Sequence, residues 1–156
     1  MDTVTVDIQG LDELQKALEA LGRDVATKVV RDGLKAGAAP LMEEMAAQAP
    51  KDTGLLAEHF TVHTKSIKDN IAAVAFVGPD SKIDYPDADG SYRIKLTKAG
   101  KAKEVGSISV ASVARFLEFG TVKMKKNPFI TRAFEAKKGA AMQAIIDTIK
   151  KALSSK

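Results

Sequence analysis

Apolar residues recur every three or four positions through two long stretches near opposite ends of the chain, and the segment between them breaks that rhythm. Leu11, Leu14, Leu18, Leu21, Val25, Val29, Val30, Leu34, Ala38, Leu41 and Met45 trace the first stretch; Ile130, Phe134, Ala141, Ile145, Ile149 and Leu153 trace the second. That spacing draws one apolar stripe along a helix. Between them, Phe60–Lys65 alternates weakly and Ile71–Val77 is rich in Val and Ala, as strands are. The fold class these patterns imply is α+β: a long N-terminal helix and a C-terminal helix packed on a small, antiparallel, partly curled sheet, with a long basic loop or hairpin near 80–105.

Local signals place the boundaries. Val4, Val6 and Ile8 predict a short strand ended by Gly10, and Asp12 and Glu13 suit the start of the next helix. Pro40 lacks an amide and clashes with the preceding turn, so helices are expected at 11–38 and 40–48, near-continuous, with a kink or break at Pro40. Gly33, Ala36, Gly37, Ala38 and Ala39 permit close approach by a neighbour, in the domain's own core or in a partner. Ala49-Pro50-Lys51-Asp52-Thr53-Gly54 is a turn in which Asp52 or Thr53 can cap the next helical turn. That brief helical turn, at 55–60, leads into a hairpin through Lys68-Asp69-Asn70, whose second strand ends at Gly78-Pro79. Residues 80–105 form a long excursion with a short strand at Tyr92–Leu96, mobile or ordered on assembly. Val110–Phe119 reads as a helix with Val113, Phe116 and Leu117 inward, ended by Gly120. Asn127 is expected to cap the last helix, with Pro128 at its first position and Lys150, Lys151 and Lys156 near its end.

At 156 residues the chain suits one domain, spanning 1–156. It has no Cys, which removes disulfides, thiolate nucleophiles and thiolate metal sites. MDTVTVDIQG is not a signal peptide, no run reaches the ~18 apolar residues of a membrane span, and synthesis in the cytoplasm is expected. Asp80, Asp84, Asp87 and Asp89 cluster but do not match a calcium loop. His59 and His63 are four apart in a segment that reads as extended, so they would not converge on zinc. No histidine stands in a partner motif for a Ser or Thr nucleophile, and no phosphate loop is present. The expectation is a protein with no catalysis, cofactor or metal. Net charge is +4, a mild bias that permits an acidic partner. Lys95, Lys98, Lys101 and Lys103 form one basic stripe and Lys123, Lys125 and Lys126 another; either suits phosphate contacts without sequence readout, or ordinary solvation.

Ordered short motifs add a resemblance. Ala49-Pro50, Asp52-Thr53-Gly54-Leu55, Val77-Gly78-Pro79, Phe116-Leu117-Glu118-Phe119-Gly120-Thr121, Lys123-Met124, Asn127-Pro128-Phe129-Ile130 and Ala133-Phe134 together resemble the HK97 gene-product-10-like family of tailed-phage morphogenesis proteins, over roughly residues 10–150. The sequence departs from the family pattern in three places. No basic residue comes after the Gly54-Leu55 turn, Val110–Arg115 replaces a tyrosine-rich lead, and 80–105 is longer. The resemblance implies a non-catalytic neck or tail subunit, acting as head–tail connector, tail completion or tail terminator protein. It implies a self-assembled, sixfold ring stacked on neck or tail tube proteins, with DNA passing through its channel and no membrane partner. Its places would be the host cytoplasm during assembly, then the virion neck or tail end. Assembly residues by this reading are Pro50, Asp52, Thr53, Gly54, Glu118, Phe119, Gly120, Thr121, Lys123, Pro128 and Phe129. Arg93, Lys95, Lys98, Lys101, Lys103, Lys125 and Lys126 would face a DNA channel or a partner. Glu118 is placed to pair with Lys123 or Lys125 of its own chain or of the next subunit, and Phe119 to pack with Phe129 in the core or to act as a wedge between subunits. The first helix and the 110–130 segment would supply the two ring faces. The alternative is a basic accessory DNA-binding protein.

Overall fold

The computed structural model describes residues 11–67 and 71–154, Leu11 without its side chain. The strand expected at Val4–Ile8, the turn expected at Lys68–Asn70 and the terminal Lys156 lie outside the described residues. In chain order the elements are α1 (Leu11–Ala20), α2 (Arg23–Gln48), α3 (Leu55–Glu58), β1 (Phe60–Ser66), β2 (Ala73–Pro79), β3 (Asp84–Tyr85), β4 (Arg93–Leu96), β5 (Ala102–Val105), β6 (Ile108–Ser109), α4 (Val110–Phe119) and α5 (Phe129–Ser154).

α2 and α5 form the frame. Each has 26 residues, a length of about 39 Å at the α-helical rise, and their mutual packing is the most extensive contact between elements. Small residues bring the two together. Gly33 and Gly37 are buried on α2, and a methyl group on Gly33 would come within 2.9 Å of Ile149 Cγ1. One on Gly37 would collide with Ile145 and stand 2.8 Å from the Ala141 carbonyl oxygen. Of the two roles open to the small-residue run, packing the domain's own core is the one these two glycines perform.

The two near-continuous helices expected around Pro40 are one: α2 runs through Pro40 without a break. A proline inside a helix costs roughly 3 kcal/mol, but α2 packs on both α5 and the β1–β2 hairpin, and that burial holds it helical on either side. The chain breaks instead at Leu21–Gly22, where Gly22 adopts φ +79°. The turn lets α1 fold back so that Leu18 joins Ala26 and Ile149 in one buried cluster, flanked by Val29, Val30 and Ile145. A second cluster of Ala49, Leu56, Val110, Ala114 and Phe129 lies where α3, α4 and the start of α5 meet.

The strands do not make one curled sheet. Among the described residues they form three separate antiparallel pairs, β1–β2, β3–β6 and β4–β5. β1 and β2 pair from Phe60↔Pro79 to Ser66↔Ala73. Pro79 thus ends β2 as a paired residue, which an edge strand tolerates. The face carrying Val62, Thr64, Ala75 and Val77 is half-buried, while His63, Lys65, Val74 and Phe76 are exposed on the other. Of the loop or hairpin expected at 80–105, the chain forms the hairpin, β4–β5, with β3–β6 at its root; of its two strands, the first was legible as a strand.

Candidate assembly surface

Three features meet around α4, although they lie far apart in the chain: the Pro50–Gly54 turn, the root of the 80–105 excursion and the 118–130 joint. Pro50, Asp52, Thr53 and Leu56 form one wall of a groove of about 550 Å³; Tyr85, Pro86, Ser107 and Ile108 form a second, and Val113, Phe116, Leu117 and Met124 a third. The groove is mostly apolar, with Asp52 and Thr53 exposed at its rim. Gly54 makes the turn possible with φ +78°, and Thr53 Oγ1 accepts a hydrogen bond from Leu55 N at 3.4 Å. Of the two capping candidates, Thr53 makes this bond.

The joint between α4 and α5 is built around a buried carboxylate. Glu118 is 7% exposed. Its Oε2 accepts a hydrogen bond from Ile130 N at 2.9 Å and its Oε1 one from Thr131 N at 3.0 Å, and the Thr131 hydroxyl also donates to Oε1. These amides are among the first of α5, which have no partner inside the helix. The carboxylate satisfies them across the joint, and its charge complements the helix dipole. Within the chain Glu118 therefore pairs with neither Lys123 nor Lys125; both lysines are exposed, and Glu118 points inward from α4 in line with Val110 and Ala114. It also takes over the capping role expected of Asn127. The first α-helical bond of α5 runs from Arg132 N to Pro128 O at 3.1 Å, which puts Pro128 at the cap instead of the first helical position.

Phe129 and Phe119 part company. Phe129 is fully buried and meets Phe60 edge to face, ring centroids 6.3 Å apart at 80°. Phe119 comes directly after inward-facing Glu118 and is turned about 100° around the helix, so it is 76% exposed. The expected core pair with Phe129 does not form. Gly120, at φ +77°, ends α4, and its amide bonds Phe116 O at 2.8 Å. A methyl group there would come within 3.0 Å of both Met124 O and Lys126 N, so glycine is required on two counts. Thr121 and Met124 then exchange backbone hydrogen bonds of 2.9 and 3.2 Å, Thr121 Oγ1 accepts from Lys123 N at 3.3 Å, and Asn127 N returns to Leu117 O at 2.6 Å. The result is a tightly pinned loop that holds Val122 fully in solvent beside exposed Phe119, with Met124 between the loop and the groove. Val122 carried no sequence signal: nothing in its neighbours shows that a bridged turn will lift it outward.

The basic residues divide by position. Arg93 sits at the root of the β4–β5 hairpin, its Nε 2.9 Å from Asp87 Oδ2 and its Nη2 donating to Gly106 O at 3.1 Å. It fastens the hairpin instead of presenting a free charge. Lys95, Lys98, Lys101 and Lys103 lie farther out, all exposed, and Lys123, Lys125 and Lys126 are exposed on the pinned loop. Among the described residues, His, Asp and Glu nowhere gather in a group of three or more able to hold a metal ion. Nor is any described helix long and apolar enough to cross a membrane. Most of the groove's lining is apolar, and its chemistry is that of packing.

The comparisons agree with that character. Residues 12–120 match the model of the HK97-gp10-like family, whose description is a putative tail component of bacteriophage HK97. The matched span takes in the Pro50–Gly54 turn and α4 and ends at Gly120, so Thr121, Lys123, Pro128 and Phe129 lie beyond it. Neither the curated proteins nor the solved structures return a match.

Proposed function

The chain belongs to the HK97-gp10-like family of phage tail components, and on that footing we propose that it is a non-catalytic ring subunit at the neck or tail end of a tailed phage or prophage. Its role there is head–tail joining or tail completion. The observation that carries the reading is the pinned loop. Phe119 and Val122 are held in solvent by a turn that Gly120, the Thr121–Met124 bridge and the Glu118 clamp make rigid. Exposed apolar side chains on a preorganised turn gain more from a protein partner than mobile ones, because little ordering entropy is lost on docking. The apolar groove beside Met124 offers a different, concave face. Two unlike faces are what a head-to-tail ring requires. The partners by this reading are further copies of the chain, six by the family resemblance, and the neck or tail tube proteins stacked on the ring.

The test is complementation of a phage or prophage from which this gene has been deleted. Wild-type protein restores joined, infectious particles. Phe119→Asp with Val122→Asp leaves far-UV circular dichroism unchanged but yields unjoined heads and tails by negative-stain microscopy. Normal joining in the deletion strain without complementation overturns the reading.

A further inference from the structure

The chain's excess positive charge is not spread over its surface. The ribbon at 91–105 holds five basic residues and one acid, while the whole chain holds 24 and 20, so the remainder balances at nineteen of each sign. The ribbon's register concentrates the charge further. Lys95 stands directly opposite Lys103 in the β4–β5 ladder, so both project from one face, their Cβ atoms about 5 Å apart. Lys98 and Lys101 add two further exposed charges at the tip, where Thr97 N bonds Lys101 O at 2.9 Å and Gly100 N bonds Thr97 O at 2.9 Å. Among the described residues none of these four lysines has an ion-pair partner. Like charges placed directly across a ladder destabilise it, and a lone two-stranded ribbon has little stability to spare. The only acid on the ribbon, Glu104, lies on the opposite face, across from Ile94. The root is nonetheless firmly tied: Arg93 to Asp87 and Gly106, Gly106 N to Asp84 Oδ2 at 3.3 Å, and Ser107 N to Tyr85 O at 2.8 Å.

We propose that this ribbon is a DNA-backbone contact, in which Lys95, Lys103, Lys98 and Lys101 each reach a separate phosphate. The contact is non-specific in sequence, because ammonium groups on phosphates carry no base readout. It does not depend on ring formation, since every residue involved lies on one chain. The charge asymmetry favours a polyanion over a second copy, whose surface outside its own ribbon is neutral overall.

The measurement is fluorescence anisotropy of a labelled DNA duplex titrated with full-length protein across a salt series. Four phosphate contacts give a log–log salt slope of about −3 to −4. Lys95→Gln with Lys103→Gln flattens the slope by about 2 and weakens binding about tenfold or more near 0.1 M salt. Lys123→Gln with Lys125→Gln removes the same net charge and changes binding less than about threefold by general charge alone. Equal losses in the two double variants overturn the proposal, as does the absence of salt-dependent binding by the wild type. Ile94→Ser with Leu96→Ser, on the opposite face, leaves the slope unchanged. If that variant instead abolishes concentration-dependent self-association while DNA binding is absent, the ribbon's partner is another copy and the proposal fails.

Discussion

Glu118 shows how one side chain sets a local structure that its neighbours cannot. Its two oxygens meet three donors from the first turn of α5, so truncation strands buried amides as well as losing bonds. Glu118→Ala is expected to destabilise the protein by about 2–4 kcal/mol, read as a lower urea midpoint with an unchanged slope. Glu118→Gln costs less but not nothing, because one carboxamide end would face donors with an N–H₂ of its own. Gly120 sits in the same joint under a different constraint. Gly120→Ala must hold φ near +77° with a methyl group against Met124 O and Lys126 N, and should cost about 1–3 kcal/mol in the same assay. Asp89 is a smaller case with a definite sign. The hydroxyl and amide of Ser91 donate to its Oδ1 at 2.6 and 3.0 Å, and these bonds hold its carboxyl below the ordinary carboxylate range. With the folded value depressed, the contribution of this turn is present above the unfolded value of about 4 and is lost as pH falls through the folded one. An NMR titration of the Asp89 carboxyl should show that lowered midpoint, and Ser91→Ala should return it toward the ordinary value.

Among the elements, the α2–α5 pair and the β4–β5 ribbon mark the extremes of stability. The helices pack where Gly33 and Gly37 leave no room for a side chain. Gly37→Val should force the helices apart, at a cost of about 2–4 kcal/mol seen as a lower thermal midpoint. Helix propensity alone points the other way, since glycine in a helix is worse than nearly any replacement by up to about 1 kcal/mol; the sign of the measured change decides which effect governs. The ribbon is exposed over the whole of β4 and most of β5, Ile94 and Leu96 included, and packs extensively on no element beyond its own two strands. Its amides should exchange with solvent far faster than those of α2 and α5 in the free protein. Trypsin should cut first after Lys98 or Lys101, at the tip.

For the molecule as a whole, the frame and its attachments have separate duties. The helical frame and the α3–α4 cluster hold the chain together, while the pinned loop, the groove and the ribbon all reach outward from the β3–β6 and α4 side. If the loop is a docking element, Phe119→Asp with Val122→Asp should shift native mass from oligomer to monomer wherever the wild type assembles, with no change in thermal midpoint. The helical architecture was readable because a period near 3.6 depends only on which residues are apolar. α4 was legible to its end residues, since Gly120 stops it through its own backbone freedom. The basic stripe was legible as charge, but its division into a fastening Arg93 and facing lysines depends on a strand register that neighbouring residues do not specify.

What the amino-acid order determined by itself was periodicity, turn chemistry and the absence of thiols and catalytic motifs, because each depends on residues within a few positions of one another. Only the tertiary structure decided that Pro40 stays helical, that Gly22 bends the chain, that Glu118 turns inward to cap α5 and that Phe119 turns out. Each of those outcomes balances a local preference of a few kcal/mol against contacts made by residues distant in sequence, and that balance is struck only when the helices and hairpin are packed together.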